Sequence, residues 1–394
     1  MTAPSGPDLE LTVGPVGHGG FCVARHEGRV VFVRHALPGE RVRAVVTEDR
    51  GGSYCRADAV QVLEPAAGRV PPPCPASGPG GCGGCDYQHV DPAVQRRLKA
   101  EVVAEQLRRI AGLDVAVTVQ ELPGGALGWR TRTRLAVDGA GRAGFRVHRS
   151  HTVRPVPTCP LAAPGALDQV LSRGWRPGSE LEVVRDDAGR LHVAELRAGR
   201  PPTWVRGTGR AVQQAAGRRW EVNAHSFWQV HPAAADALAA IVRDWTGAPA
   251  GGIAWDLYGG VGLFASVLAG QVGPTGSVTV VESSRRAVVA GQVALADLPQ
   301  VRFVTGRVER ALARLPGSPD VVVLDPPRRG AGRRVAAAVA GREPGRIVHL
   351  GCDPAALARD IAGYVEGGYR LVALRALDTF PMTHHVECLA LLEP

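Results

Sequence analysis

The sequence predicts an α/β protein with a doubly wound, seven-stranded sheet at its C-terminus, preceded by a small β-barrel and a β-rich central domain. From Gly251 onward, short apolar runs alternate with helical segments, a pattern typical of a parallel sheet covered by helices on both faces. Residues 8–64 instead alternate apolar and polar positions between Gly, Pro and Asp signals, which indicates a small barrel. Strand-like runs return between residues 129 and 230. We therefore expect three domains, at residues 1–64, 65–245 and 246–394.

The C-terminal strands are predicted from their apolar runs. These are Ile253–Tyr258, Val278–Glu282, Val301–Thr305, Val321–Asp325, Arg346–Gly351, Arg370–Ala376 and Val386–Leu392. The last two follow each other without room for a helix, so we expect them to form an antiparallel hairpin. Upstream, Asp91 followed by Pro92 predicts a helix start, because a capping residue precedes a proline in the first turn.

The composition favours a folded protein with a polyanionic partner. The 394 residues are 45% hydrophobic, enough to give each domain a core. The formal net charge is +9, and Lys99 is the only lysine. Arginine suits contacts with phosphates and bases; a GC-rich genome would also favour arginine over lysine, but it would not explain the excess of positive charge. Without a long apolar run or a signal-peptide pattern, we expect a cytoplasmic monomer that does not contact membranes.

A glycine-rich turn follows the first strand of the C-terminal domain. Ala254–Phe264 reads AWDLYGGVGLF, and Gly259, Gly260 and Gly262 lie where a strand must turn sharply into a helix, so that backbone amides can approach a ligand. Twenty residues beyond Gly262, Glu282 ends the next apolar run and can accept hydrogen bonds from ribose hydroxyls. A nicotinamide-binding domain would show much the same turn, so the turn alone does not identify the cofactor.

The motif after the fourth predicted strand favours a methyl-transfer site. Leu324–Gly330 reads LDPPRRG, and its two prolines fix an extended turn that directs Asp325 into the crevice outside the strand ends. Enzymes that methylate amino groups carry an aromatic residue after the two prolines, whereas this chain has Arg328. The motif therefore disfavours methylation of an exocyclic amine. A rigid surface turn is the alternative.

Two further segments place Cys352 and Glu387 at the carboxyl edge of the sheet. HLGCDPAALARD ends the fifth strand with Cys352, and DTFPMTHHVECLALL carries Glu387 at the start of the final strand. With the glycine turn and LDPPRRG, these segments resemble the RNA 5-methyluridine methyltransferase family throughout the C-terminal half. His349, Gly351 and Ala356 depart from the family pattern, which bears on how the base is positioned. A buried structural thiol and a solvated edge carboxylate are the alternatives.

The resemblance implies a class I methyltransferase fold that transfers a methyl group from S-adenosylmethionine to C5 of a uridine in folded RNA. Because uracil C5 is a poor nucleophile, the thiolate of Cys352 would first add to C6, and Glu387 would later remove the C5 proton. It also implies contacts with the cofactor from residues that match the family's pattern, including the glutamine of SFWQVHP. These are Gln229, Tyr258, Gly260, Leu263, Glu282 and Asp325.

The N-terminal barrel also resembles a known module. GRVVFVRHALPGERVRAVV, at Gly28–Val46, together with Gly17, Gly19 and Gly20 upstream, is similar to the TRAM domain, an OB-like RNA-binding barrel found on RNA-modifying enzymes. This resemblance implies that the barrel and the basic surface hold the RNA. Another kind of small barrel is the alternative.

Four cysteines form a candidate metal site. Cys74, Cys82 and Cys85 are spaced C-x7-C-x2-C, and Cys159 lies in PVPTCPL; in a cytosolic chain, metal binding or catalysis is a better prediction than disulfides. Four thiolates suit zinc or an iron–sulfur cluster, and their spacing does not decide between them. Some members of the family carry a 4Fe-4S cluster on three clustered cysteines and a distant fourth. The resemblance therefore implies a structural 4Fe-4S cluster, with zinc as the alternative.

The substrate is the least determined prediction. Members of the family act on the T-loop of tRNA or on 23S rRNA, and a barrel with a cysteine cluster is commoner in the ribosomal enzymes, so 23S rRNA is favoured over tRNA. Methylation of cytosine C5 also uses a cysteine, but its motifs are not seen in this sequence. A non-catalytic RNA-binding or redox-sensing protein on a methyltransferase fold is the alternative from another class, and the presence of both Cys352 and Glu387 argues against it.

Overall fold

The computed structural model describes residues 6–394, so the first five residues of the predicted barrel, residues 1–5, lie outside the described part of the chain. The barrel sheet has the order β1-β4-β5-β3-β2. Its strands are β1 (Asp8–Thr12), β2 (Cys22–His26), β3 (Arg29–Arg34), β4 (Arg41–Asp49) and β5 (Tyr54–Glu64). Alternate residues such as Val31 and Val33, or Ala57 and Ala59, are buried, which confirms the alternating pattern.

A connector at residues 65–91 leads into the first helix, α1 (Pro92–Gln106). Asp91 caps this helix, because its Oδ1 atom accepts hydrogen bonds from the N–H groups of Ala93 at 2.9 Å and Val94 at 3.3 Å. The predicted helix start is thus confirmed. The helix continues as a π-helical turn, Leu107–Ala111, and a short strand, β6 (Val119–Glu121), follows.

The central domain is built on a six-stranded sheet of order β12-β11-β10-β7-β8-β9 and a separate β13-β14 hairpin. Its elements are β7 (Arg132–Val137), β8 (Ala143–Arg146), β9 (Val153–Pro155), α2 (Asp168–Leu171), β10 (Glu180–Arg185), β11 (Leu191–Leu196), β12 (Thr203–Arg206), β13 (Arg210–Ala215) and β14 (Arg218–Asn223). The β-rich segment predicted between residues 129 and 230 is therefore confirmed.

The C-terminal sheet has the order β17-β16-β15-β18-β19-β21-β20-β6. Its strands are β15 (Ile253–Leu257), β16 (Ser277–Glu282), β17 (Val301–Thr305), β18 (Val321–Leu324), β19 (Arg346–Gly351), β20 (Arg370–Asp378) and β21 (Glu387–Glu393). Its helices are α3 (Ala234–Thr246), α4 (Leu263–Val272), α5 (Arg285–Ala294), α6 (Val308–Ala311), α7 (Arg333–Ala340) and α8 (Pro354–Glu366). The seven predicted strands are confirmed, and β21 runs antiparallel to both of its neighbours.

The central strands of this sheet are buried on both faces. In β18, Val321 and Val323 pack into one hydrophobic core, whereas Val322 and Leu324 pack into a second core on the opposite face. Two-sided burial explains why the strands are continuous apolar runs. The strand order reverses beside β15, and ligands of doubly wound sheets bind in the crevice at such a switch point.

The sequence did not predict that the C-terminal sheet has an eighth strand. Strand β6, from the segment assigned to the central domain, pairs in parallel with β20. Helix α1 packs against α8 as well. Residues on both sides of residue 245 therefore contribute to this sheet and the helices that cover it. The predicted boundary between the central and catalytic domains at this residue remains a prediction. No helix within residues 6–394 has the length and apolar character that crossing a membrane requires.

Candidate active site

The turn after β15 has the backbone shape that a bound nucleotide-like ligand requires. Tyr258, Gly260 and Gly262 have positive φ angles of 60°, 58° and 89°. For a tyrosine this conformation costs about 1–3 kcal/mol, and such strain is characteristic of functional turns. A Cβ atom on Gly260 would meet no other atom within 4 Å, so its backbone faces open space. The turn can therefore admit a ligand close to the backbone.

Glu282 lies beside this turn at the end of β16. Its Oε2 atom accepts a hydrogen bond from the Gly260 N–H at 3.1 Å, and its Oε1 atom accepts one from the Ser284 N–H at 2.5 Å. These contacts fix the carboxylate next to the open face of the turn. An acid in this position can accept hydrogen bonds from ribose hydroxyls, so the residues fit an adenosyl cofactor.

Asp256, which the sequence analysis missed, lies beneath the turn. Its Oδ2 atom accepts a hydrogen bond from the Ala265 N–H at 2.9 Å, while Oδ1 has no partner among the described residues. Burial raises the pKa of Asp256 to about 8. A Cβ atom on Gly259 would lie 2.8 Å from this carboxyl group, so the close packing requires glycine. The available signal was the polar residue inside the apolar run AWDLY.

The remaining predicted cofactor residues surround the same crevice. Leu263 is the first residue of α4 and is buried, and Asp325 directly follows β18. The hydroxyl of Tyr258 has no partner among the described residues. Gln229 is half-buried in the loop between β14 and α3, beside Trp228, which belongs to the same hydrophobic core as Leu263. The structure therefore gathers five of the six residues at the ends of β15, β16 and β18, and Gln229 comes from a separate loop.

Strand pairing brings the predicted nucleophile and base together. Gly351 of β19 pairs with Cys388 of β21 in antiparallel register, so the next residues outward are Cys352 and Glu387. Glu387 is buried, with 5% of its surface exposed, and Cys352 is partly buried. Asp353 then caps helix α8 by accepting the Ala356 N–H at 2.8 Å. Cys352 is thus fixed between the end of a strand and the start of a helix.

Three acidic groups, the thiol of Cys352 and the carboxyl groups of Glu387 and Asp325, interact at this edge of the sheet and define the acidic pocket. Burial, with smaller contributions from the carboxyl groups of Glu387 and Asp325, raises the pKa of the Cys352 thiol to about 12, and Arg328 opposes this shift. Burial also raises the pKa of Asp325 to about 7 and holds that of Glu387 well above its usual range. Because three like charges disfavour each other's ionisation, a positive charge entering the pocket would promote ionisation of the group.

His349, one of the residues that depart from the family pattern, has a structural role. The side chain is fully buried; Nδ1 lies 3.1 Å from the Tyr364 hydroxyl, and Nε2 lies 3.3 Å from Asp360 Oδ2. Asp360 in turn accepts the N–H groups of Ala331 at 2.7 Å and Gly332 at 2.8 Å. His349 therefore supports the loop that follows LDPPRRG from below.

The four predicted metal ligands line one cavity of about 20 Å³, although no three of them reach metal-binding geometry within residues 6–394. All four are free thiols. Burial raises the pKa of Cys82 to about 11 and of Cys85 to about 12, and a bound metal would require both thiols to lose their protons. The Gly84 N–H donates a hydrogen bond to the Cys82 sulfur at 3.4 Å, and Gln88 Nε2 donates one to the Cys85 sulfur at 3.3 Å. These hydrogen bonds would also stabilise thiolates. The donor set fits a metal or cluster.

A wide groove lies between the barrel, the cysteine-bearing connector and the loop between β8 and β9. Its volume is about 1160 Å³. In the barrel wall, the Arg56 guanidinium lies 5.5 Å from the centre of the Phe32 ring and 5.8 Å from that of Phe21. Five arginines line the groove: Arg34, Arg50, Arg56, Arg149 and Arg154. The combination of positive charge and aromatic surface suits single-stranded nucleic acid.

Comparison with known proteins agrees with this geometry. Residues 6–60 match the TRAM domain, and residues 317–394 match the tRNA (Uracil-5-)-methyltransferase family. An uncharacterized RNA methyltransferase of Streptomyces avermitilis is 45% identical over 99% of both chains. The 23S rRNA (uracil(1939)-C(5))-methyltransferase RlmD of Alkalilimnicola ehrlichii is 34% identical, covering 98% of this chain and 96% of the relative.

Among solved structures, the chain matches the tRNA (uracil-54, C5)-methyltransferase of Pyrococcus abyssi, which was determined in complex with S-adenosyl-L-homocysteine. The TM-score is 0.72 and the sequence identity is 20%, and the match covers 98% of this chain and all of the other. The fold and the site thus define a class I methyltransferase with an N-terminal TRAM domain. Within that class, the chain belongs to the S-adenosylmethionine-dependent RNA (uracil-5-)-methyltransferase family. The predicted fold and family are confirmed.

The protonation of Asp256 gives a testable pH dependence. The pKa of Asp256 is about 8 in the folded state and about 4 in the unfolded chain, so protonated Asp256 favours the folded state. This contribution to stability is complete below about pH 4 and is lost as the pH rises through about 8. Asp256→Asn cannot ionise but keeps the acceptor for the Ala265 N–H. We expect its melting temperature to rise relative to wild type between about pH 4 and about pH 9. The exposed Asp114→Asn is the control, and a pH-independent difference for Asp256→Asn would contradict the assignment.

Proposed function

We propose that the protein methylates C5 of a uridine in folded RNA through a covalent bond between Cys352 and uracil C6. The observation that carries this proposal is the register of β19 and β21, which sets Cys352 beside Glu387 in a pocket with Asp325. A thiol next to a buried carboxyl group, at the edge of a cofactor crevice, suits nucleophilic addition followed by proton removal.

Cys352 acts first. Its thiolate adds to C6, and the electron pair of the C5–C6 bond makes C5 enolate-like and able to attack a methyl group. S-adenosylmethionine, when bound, supplies that methyl group and a positively charged sulfonium. Because burial and two carboxyl groups hold the pKa of Cys352 near 12, the thiolate is favoured only when positive charge enters beside Arg328. This arrangement couples the ionisation of the nucleophile to a filled site.

Glu387 acts after methyl transfer. C5 then carries both the new methyl group and its original proton, and removal of that proton restores the C5–C6 double bond as the Cys352–C6 bond breaks. Burial keeps Glu387 within the pocket and raises its pKa, which makes the carboxylate a stronger base once it has ionised. Asp325 and Tyr258, at the ends of β18 and β15, hold the cofactor side of the crevice.

The substrate we propose is 23S rRNA. A full-length relative that is 34% identical is named for a uridine of 23S rRNA, and the cysteine-bearing connector lies beside the groove. The groove runs along the barrel, where its arginines can contact phosphates and its aromatic rings can stack on bases. A uridine in the T-loop of tRNA is the alternative that experiment must separate.

We also propose that Cys74, Cys82, Cys85 and Cys159 hold a 4Fe-4S cluster with a structural role. They come from the connector and from the loop after β9, so a cluster would fasten these two segments together. Cys85 and Cys159 also pack against the core that contains Trp129 and Met382. Zinc on the same four thiols is the alternative.

The order of the two catalytic residues predicts different behaviour for their variants. Cys352→Ala should be inactive and form no adduct. Glu387→Gln should add to C6 and transfer the methyl group, then stall, with turnover at least about a hundredfold below wild type. It should accumulate a protein–RNA adduct on denaturing gels that requires S-adenosylmethionine and disappears when Cys352 is also replaced.

The same assay separates the possible substrates. Adducts should form with a 23S rRNA fragment and not with tRNA. Near wild-type turnover by Glu387→Gln, or an adduct that survives loss of Cys352, would overturn the assigned roles, and adducts with tRNA alone would overturn the rRNA assignment.

The groove predicts a change in the salt dependence of RNA binding. Arg50→Ala with Arg149→Ala should weaken RNA binding and reduce the slope of log Kd against log salt by about 1 to 2, because two phosphate contacts are lost. Arg333→Ala with Arg334→Ala removes the same charge from exposed positions on α7 and is the control. Equal slopes for the two double variants would show that RNA does not occupy the groove.

The cluster predicts the metal content of the purified protein. Protein prepared without oxygen should be brown and contain about four irons per chain, and Cys85→Ser should lose both iron and colour. Because metal binding contributes to folding, its melting temperature should fall as well. Cys55→Ala, which alters a buried barrel thiol outside the site, should keep its iron. One zinc per colourless chain would instead support the zinc site.

A further inference from the structure

The barrel reaches the predicted nucleophile as well as the groove. The loop between β1 and β2 lies against the start of α8, where His18, Cys352, Asp353 and His384 line a common cavity of about 10 Å³. A Cβ atom on Gly20 would lie 2.6 Å from the Cβ atom of His384, so the two backbones approach closely. The barrel therefore forms one wall of the space around Cys352.

His18 makes the polar contact across this boundary. Its Nε2 atom lies 3.0 Å from Oδ2 of Asp353. The other oxygen of Asp353, Oδ1, accepts the Ala356 N–H at 2.8 Å and so caps α8. Asp353 thus has one oxygen bound to the helix and one bound to the barrel, and Cys352 is the residue immediately before it. The ion pair also raises the pKa of His18, with the hydrogen bond to Asp353 as the main cause.

We propose that His18 is a positioning residue for Cys352 and that the TRAM barrel completes the catalytic pocket as well as binding RNA. This inference rests on the proposed role of Cys352. Without the imidazole, Asp353 would be held from the helix side alone, and the residue before it could shift relative to the uracil C6 atom. Small misplacements of a reacting group reduce turnover strongly even when binding is unchanged.

The exposure of the pair indicates that its role is geometric rather than stabilising. The side chains of His18 and Asp353 are 39% and 29% exposed, and ion pairs at such positions contribute little to stability. Its loss should therefore change chemistry much more than folding. His18→Gln keeps a nitrogen donor near the position of Nε2, whereas His18→Ala removes it. Comparison of the two variants therefore shows whether the hydrogen bond to Asp353, rather than the imidazole ring itself, is required.

The test measures turnover together with access to Cys352. We expect His18→Ala to lower kcat about tenfold, with the KM for RNA changed by less than about twofold, and His18→Gln to recover most of the loss. Independently of activity, the alkylation rate of Cys352, followed by peptide mass spectrometry, should rise in His18→Ala. Cys388, the residue after Glu387 on β21, is fully buried, and its alkylation rate should stay constant. His26→Ala, in the same barrel, is the control.

A double-mutant cycle connects the effect to Asp353. Asp353→Ser keeps a helix-capping side chain but is too short to reach His18, so His18→Ala should lower kcat no further in that background. Additive losses, or an unchanged Cys352 alkylation rate in His18→Ala, would overturn the inference. Failure of the proposed function is distinguishable, because wild-type protein would then methylate no uridine while the alkylation difference persisted.

Discussion

The buried ion pair between Lys99 and Asp378 is the contact on which the geometry of the active site depends. Lys99 Nζ lies 2.6 Å from Asp378 Oδ1 and 3.0 Å from the Phe380 carbonyl oxygen, and both charged side chains are almost completely buried. Leaving either charge alone would cost about 3–5 kcal/mol, so the pair fixes α1 against the end of β20. The chain then runs from Asp378 through a short loop to Glu387.

That loop is held from the N-terminal side as well. The carbonyl oxygen of Met382 accepts the N–H groups of Asp86 and Tyr87, both at 3.0 Å, and Asp86 Oδ2 lies 2.6 Å from His384 Nδ1. Asp86 directly follows Cys85, a predicted ligand of the cluster. The position of the predicted base therefore depends on the connector, as that of the predicted nucleophile depends on the barrel through His18, and the pocket is assembled from segments far apart in sequence.

The sequence predicted the parts of this assembly that have local signals. Strand β19 has the predicted bounds because an apolar run buried on both faces is recognisable without its partners. Strand β17 also has the predicted bounds, although it lies at the edge of the sheet and leaves Arg302 and Thr305 exposed. The strand ends placed Cys352 and Glu387 at the same edge of the sheet, and the family resemblance paired them as nucleophile and base. Strand β6 was missed, since three residues carry no periodic pattern and pair only because β20 offers an edge. The contacts of Lys99 and His18, with partners 279 and 335 positions away, leave no local signal at all.

Several deviations from ordinary packing lie together at one edge of the C-terminal sheet. Tyr258 has a left-handed backbone, Asp256 is buried with one oxygen that has no partner within residues 6–394, and burial raises the pKa of both Asp325 and Glu387. Each of these lowers stability in the protein alone, and a cationic cofactor would relieve the crowding of acidic groups. Ligands that bind only the folded state stabilise it. The same groups that destabilise the protein alone would therefore strengthen binding of a sulfonium and, with it, the ionisation of Cys352. The cost in stability and the selectivity for a positively charged methyl donor therefore have a single physical origin.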